Sequence, residues 1–115
     1  MKTYKVAELQ GALLDAAVAK ADPNGPDIEI DHKAGVCRMR DEWRAPYRPS
    51  TEWARGGVII ERESIGLVTG SLPGRPLPWV AIICGQRDVS ARAEQPLVAA
   101  MRAFVIAKLG PEVEL

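Results

Sequence analysis

The sequence predicts an α+β fold: a small antiparallel sheet covered by an N-terminal and a C-terminal helix. Three observations carry this. Residues 6–21 and 96–109 have helical spacing of apolar residues at the two ends of the chain. The run Trp79–Cys84 is short, continuous and rich in β-branched residues, the signature of a strand covered on both faces or at the centre of a sheet. Proline- and glycine-bearing segments punctuate the chain between the ends, without an internal repeat.

The 115 residues suffice for one domain, 1–115. Apolar residues at 47% and charged residues at 26% are the balance of a soluble globular chain. Fifteen Lys+Arg offset fifteen Asp+Glu, so net charge supplies no general pull toward nucleic acid or an anionic membrane. Sixteen alanines against six aromatics leave Val, Ile, Leu and three Trp to supply most of the core. A chain this size buries about 65% of its unfolded surface, enough for a modest cooperative core. The opening Met-Lys-Thr-Tyr-Lys lacks the apolar stretch of a secretory signal. Trp79–Cys84 is far below the ~20 residues that span a bilayer. The expected compartment is the cytoplasm, where Cys37 and Cys84 stay reduced.

Residues 6–21 read as the first helix: Leu9, Leu13, Ala16, Ala17 and Lys20 share one face. Gly11 weakens it by ~1 kcal/mol relative to Ala, while permitting close approach of another element. Asp22-Pro-Asn-Gly-Pro26 stops it. From Asp27 to Met39 the period becomes two, which suggests a short hairpin around Lys33-Ala-Gly35, or a loop carrying the sole histidine. Across 41–57 there is little periodicity. Ser50 suits the N-cap of one turn through Ala54, released by Gly56-Gly57. Residues 58–67 read as a further helical turn that finishes as a strand. Residues 71–78, with three prolines and a glycine, read as a connector, and 85–94 as a polar loop. Pro96 suits a first helical position and Gly110-Pro111 a stop, so 96–109 is the second helix. Its stripe of Leu97, Met101, Phe104 and Val105 is widened by Val98, Ile106 and Leu109, and Arg102 and Lys108 are its only charges. Such a helix is either nearly central or meets a second copy of the chain.

The chemistry is bounded mainly by what is scarce. One His and two Cys exclude a multi-histidine or paired-CxxC metal centre. A nucleophile–histidine arrangement would need His32, which stands in an acidic context on a predicted turn. Glu61 and Glu63 would share a face on a strand and together hold a divalent cation, whereas on a helix they diverge. Asp27, Glu29 and Asp31 raise the same idea more weakly. Gly56-Gly57 lacks the Lys-Ser/Thr of a phosphate loop, and no GxGxxG follows a strand. No cofactor is expected. The most distinctive cluster is Arg38, Arg40, Arg44, Arg48 and Arg55, interleaved with Trp43, Tyr47 and Trp53. Aromatics among arginines can stack bases and hold phosphates; equally, the rings can anchor a coil segment while the Arg stems cover them.

The run Tyr47-Arg-Pro-Ser-Thr-Glu-Trp-Ala-Arg-Gly-Gly-Val-Ile-Ile-Glu-Arg-Glu63, then Trp79-Val-Ala81, then Pro96 through Gly110, resembles the NinX-like family of small phage and prophage proteins. The opening Glu8-Leu-Gln-Gly-Ala-Leu-Leu-Asp15 is also similar to that family. Two departures are Ala16, where family members commonly carry Trp, and Val58, where they commonly carry Pro. The resemblance implies a phage or prophage gene product acting in a bacterial cytoplasm, and supplies no catalytic residue.

The expected function is therefore non-enzymatic binding to a host or phage protein. The candidate surface is Tyr47, Ser50, Trp53, Gly56, Gly57, Glu61, Arg62 and Trp79, outside the two helices, because loops on a rigid scaffold often bear function. Self-association through the C-terminal helix is a second expectation. Two alternatives stand beside it: a nucleic-acid accessory factor using Arg38, Arg40, Trp43, Arg44, Arg48 and Arg55, and a small metal-dependent hydrolase using Glu61 and Glu63.

Overall fold

The computed structural model describes residues 2–69, 79–84 and 88–115. The expected connector 71–78 lies outside these, as do residues 85–87. Among these residues the fold is α+β, with small antiparallel sheets and three α-helices. Strand β1 (Thr3–Lys5) leads through a 3-10 turn (Val6–Glu8) into helix α1 (Gly11–Ala21). A hairpin of β2 (Ile28–Asp31) and β3 (Val36–Met39) follows, then helix α2 (Trp53–Glu63). Strands β4 (Gly66–Thr69), β5 (Trp79–Ile83) and β6 (Val89–Ala93) precede helix α3 (Pro96–Leu109) and strand β7 (Glu112–Glu114).

The strands divide into three sheets: β1 with β7, β2 with β3, and β4-β5-β6 in that order. All pairings are antiparallel. As its composition predicts, β5 is the central strand, with Ala81 opposite both Leu67 and Ala91. Helix α3 packs on β5 and β6 and also touches α1 and α2. It is nearly central: Leu97, Ala99, Ala100, Met101, Ala103, Phe104 and Val105 are all buried. Val98 and Ile106 remain half-buried and Leu109 exposed, so these supply its apolar material for any second copy. Helix α1 lies between α3 and the β2-β3 hairpin and is buried along most of its length. Ala16 and Ala19 form a second small cluster there with Cys37 and Tyr47. No helix among the described residues is long and apolar enough to cross a membrane.

Three local expectations are corrected, and one is borne out and sharpened. The first helix does not begin at Val6. The chain makes one 3-10 turn, extends at Leu9 and Gln10, and starts α1 at Gly11 with φ +61°. Gly11 thus serves the backbone turn, with nothing close to it, rather than a close approach. Secondly, the helical turn at Ser50 and its release at Gly56-Gly57 are replaced by one eleven-residue helix running through both glycines. Glu52, not Ser50, is its N-cap residue. The helix passes through Gly56 because nothing larger fits: an added Cβ would overlap Pro49 O and Leu97 Cδ1. Close packing there offsets the ~1 kcal/mol propensity cost of the glycine. Thirdly, 58–67 does begin as helix and finish as strand, with the helix lasting until Glu63 and β4 beginning at Gly66. The helix ends on Ser64 in the left-handed region (φ 53°), and Ile65 N–H donates back to Ile60 O at 3.0 Å. Buried Ile65 then pins the exit to the core before β4. Fourthly, residues 89–93 are a strand rather than part of a polar loop. Ala91 and Ala93 turn inward while Ser90 and Arg92 face out.

Candidate functional site

The predicted site residues separate into those that build α2's seat and those that α2 displays. Tyr47 and Ser50 are buried on the segment leading into the helix. Tyr47 N–H donates to Cys37 O at 2.8 Å, tying this segment to β3. The Arg55 guanidinium lies 5.4 Å from the centre of the Tyr47 ring, a cation–π contact. Burial pushes the Tyr47 phenol up to about 12, so the ring works as a neutral platform. Burial likewise pushes the Cys37 thiol up to about 11. Cys84 is exposed, and the two thiols are unpaired.

Ser50 N–H donates to Asp15 Oδ1 at 2.9 Å, joining segments 35 residues apart. Asp15 is only 2% exposed. Its burial raises the carboxyl pKa, against the opposing pull of the Ser50 hydroxyl and N–H and of Arg48. The Ser50 hydroxyl is near enough to oppose that shift, yet is aligned for a hydrogen bond with no described group. Ser50 and Tyr47 therefore support the surface from beneath. Gly56 does the same where α2 meets α3.

The outward side of α2 is different in kind. At about 100° per residue, Trp53, Ala54, Gly57, Val58 and Glu61 fall within one arc, opposite buried Gly56 and Ile59. Trp53 is 56% exposed and Val58 59%. Between them, an added Cβ at Gly57 would meet nothing within 4 Å. Arg62 is exposed at the edge of this face, but its head is committed. Nη2 lies 3.3 Å from Asp22 Oδ1, Nε 3.6 Å from Glu63 Oε2, and the guanidinium 5.8 Å from the centre of the Phe104 ring. Lys108 Nζ completes this knot, 2.8 Å from Glu63 Oε1. It fastens the C-terminal ends of all three helices to each other. Trp79 is brought to none of this. It opens β5 opposite Thr69 and Ala93, half-buried against the main core.

Glu61 and Glu63 lie on a helix, about 200° apart around its axis. Glu61 points into the outward arc, and Glu63 belongs to the knot. The shared face that a strand would have given them is not formed. His32 is exposed on the hairpin turn. It stands at the rim of a groove of about 680 Å³ between α1 and β2, floored by Ala16, Ala19, Ile28 and Ile30.

The arginine segment is largely neutralised within the fold. Arg38 Nε pairs with Asp31 Oδ2 at 3.2 Å, Arg44 with Glu29, and Arg48 Nε with Glu52 Oε1 at 3.7 Å. Arg40 and Arg55 have no carboxylate partner among the described residues. Asp41 Oδ1 accepts the N–H groups of Trp43 (3.1 Å) and Arg44 (2.7 Å), forming a turn with Arg44 at φ 48°. Trp43 projects from that turn, 81% exposed.

Sequence reasoning missed Ala54 and Val58 as surface residues, because the helix itself was cut short at Gly56-Gly57. Their i, i+4 spacing, continued by Glu61 at i+7, was the signal available. The Asp15–Ser50 link left no local trace.

A comparison with curated proteins finds no match. The family described as Bacteriophage P22, NinX, matches residues 5–108, which takes in α1, α2, the hairpin, the β4-β5-β6 sheet and all of α3 but its last residue, Leu109. The chain belongs to that family, and is a phage accessory protein, as its Tyr47–Glu63 and Pro96–Gly110 runs implied.

Proposed function

We propose that the chain is a non-enzymatic binding module that docks a host or phage protein on the outward face of α2. The observation that supports this reading best is the pairing of exposed Trp53 and Val58 across the bare backbone of Gly57. Two large apolar side chains held open on a rigid helix have no role in the fold's own core. A large flat ring beside an open backbone is the material of a protein-binding hot spot. Glu61, on the same face, supplies a charge that selects orientation.

The test is capture from phage-infected bacterial cells with the wild-type chain, Trp53→Glu and Val58→Glu, each checked for an unchanged melting temperature. Companions held by the wild type and lost by both variants are expected. Variants that melt with the wild type and retain the same companions would refute the proposed face. Single-stranded DNA supplies the counter-test for the nucleic-acid reading. With three of its five arginines paired, the 38–55 segment is expected to give no retardation at moderate salt. Retardation abolished by Arg40→Ala and Arg55→Ala would transfer the function to that segment.

A further inference from the structure

Arg102 is a charged side chain in the interior, only 7% exposed, on the helix that forms the core. Its Nε donates to Leu9 O and its Nη1 to Arg92 O, both at 2.8 Å. These charge-assisted bonds engage two of its three nitrogens but bring no counter-ion. No carboxylate lies within 4 Å of it among the described residues. Desolvation lowers its pKa, as expected for a buried cation without a counter-ion.

Arg102 also lines a cavity of about 590 Å³ together with Gln10, Gly11, Thr51, Glu94 and Gln95. Two helices begin at this cavity. Gln10 is the N-cap residue of α1 and Gln95 that of α3. Neither end has a side-chain cap or an acidic residue in its first turn, so both leave positive dipole ends uncompensated; α1 leaves its first N–H groups without partners, while α3, which opens on Pro96 and so has no N–H at its first position, offers those of Leu97 and Val98. A buried guanidinium with a spare nitrogen, two open helix ends, two amides and the Thr51 hydroxyl therefore share one recess. Glu94, exposed at its edge, is the single carboxylate lining it.

From this juxtaposition we propose that the cavity between the starts of α1 and α3 is a binding site for a phosphate group, with Arg102 as its central cation. A phosphate offers three acceptor oxygens to three donor sets: Arg102 Nη2, the first N–H groups of α1, and the N–H groups of Leu97 and Val98 behind Pro96 at the start of α3. A carboxylate offers two. The recess exceeds the size of a bare phosphate ion, so free phosphate and the phosphate of a small monoester are both sources of the same group. The site is separate from the outward face of α2, and the docking reading stands or falls without it.

The experiment is a thermal-melting titration of the full chain with inorganic phosphate, with adenosine monophosphate, and with sodium chloride at matched ionic strength. A saturable rise in melting temperature beyond the chloride control is expected, since a ligand bound only by the folded state stabilises it. A larger rise at equal concentration with the nucleotide identifies a monoester ligand; a rise with inorganic phosphate alone identifies the free ion. Arg102→Gln is expected to abolish the rise. Because Arg102 also holds Leu9 and Arg92, a second variant guards against loss of folding. Gln95→Glu places a negative charge at a helix start, where the fold tolerates it, and is expected to weaken phosphate binding about tenfold or more. Phosphate and nucleotide no better than chloride would overturn the proposal, as would Gln95→Glu binding with an unchanged midpoint.

Discussion

Helices α2 and α3 meet at Gly56 and Leu97, yet they divide the work of the molecule between them. Helix α3 is apolar nearly all round and is enclosed by the chain's own strands and helices. Helix α2 buries only Gly56 and Ile59 fully and turns Trp53 and Val58 outward. A helix without a polar face has to be central, whereas one with apolar residues on two opposite faces has a second face to account for. Stability should therefore reside in α3 and recognition in α2.

The largest expected effect falls on α3. Phe104 is wholly buried and touched from outside by the Arg62 and Lys108 charges. Phe104→Ala should lower stability by ~3–5 kcal/mol, measured by urea unfolding. That is a large share of the ~5–15 kcal/mol that holds an ordinary domain together. A loss below ~1 kcal/mol would mean that α3 is not the centre of the fold.

The next effect sits where the two helices touch. Gly56→Ala forces a methyl group into Pro49 O, a backbone atom that cannot rotate away. Overpacking of this kind should cost ~1–3 kcal/mol in the same assay. An unchanged unfolding midpoint would show that α2 lies further from α3 than the contact at Leu97 implies.

Asp15 sharpens the comparison from beneath α2, because it fastens Ser50 and so the entry to that helix. In the unfolded chain its carboxyl titrates near the ordinary value of 3.8; burial raises it in the fold. The folded state thus holds the proton more tightly. The contribution is full below the unfolded value and is lost as pH rises through the raised folded value. Asp15→Asn removes this dependence and keeps an oxygen for Ser50 N–H. Its stability relative to wild type should rise as pH climbs from about 4 to 7, read from urea midpoints across that range. A gap that is flat with pH would show that Asp15 ionises freely. Asp15→Ala, which leaves Ser50 N–H buried without its acceptor, should cost ~1–3 kcal/mol.

What was legible in the sequence follows the same division. The boundaries of α3 could be read from Pro96 and Gly110 because cap chemistry is local. The central place of β5 was legible too, since a continuous β-branched run needs cover on both faces. Helix α2 was not, because its two glycines look alike in sequence. Gly56 is required by a backbone atom of Pro49, seven residues earlier, and by a side chain forty-one residues later, and no local pattern records either. Strand β6 was hidden for another reason: its inward positions are Ala91 and Ala93, whose small side chains barely mark an alternation. Within the candidate site, Trp53 and Glu61 were correctly read as displayed. Tyr47 and Ser50 were not separable from them, because whether a ring or a hydroxyl in a coil segment faces in or out depends on Asp15 and Cys37, far away in the chain.

The smallest expected effect on stability is also the most discriminating. Gly57→Ala adds a methyl group at the position next to Gly56, but into open space. Replacing a half-buried mid-helix glycine whose Cβ position is open should stabilise the chain by up to about 1 kcal/mol, since Ala loses less backbone freedom on folding. The adjacent glycines should then respond with opposite signs to the same substitution. Gly57→Leu carries the contrast into function. The fold should tolerate it as readily as it does Ala, while the larger side chain stands between Trp53 and Val58 and holds any docked surface away from the helix backbone. Companions captured by the wild type should be lost by Gly57→Leu even though the variant melts no earlier. If they are retained, close approach to this backbone plays no part in recognition, and the bare glycine is only a helix defect that the fold tolerates.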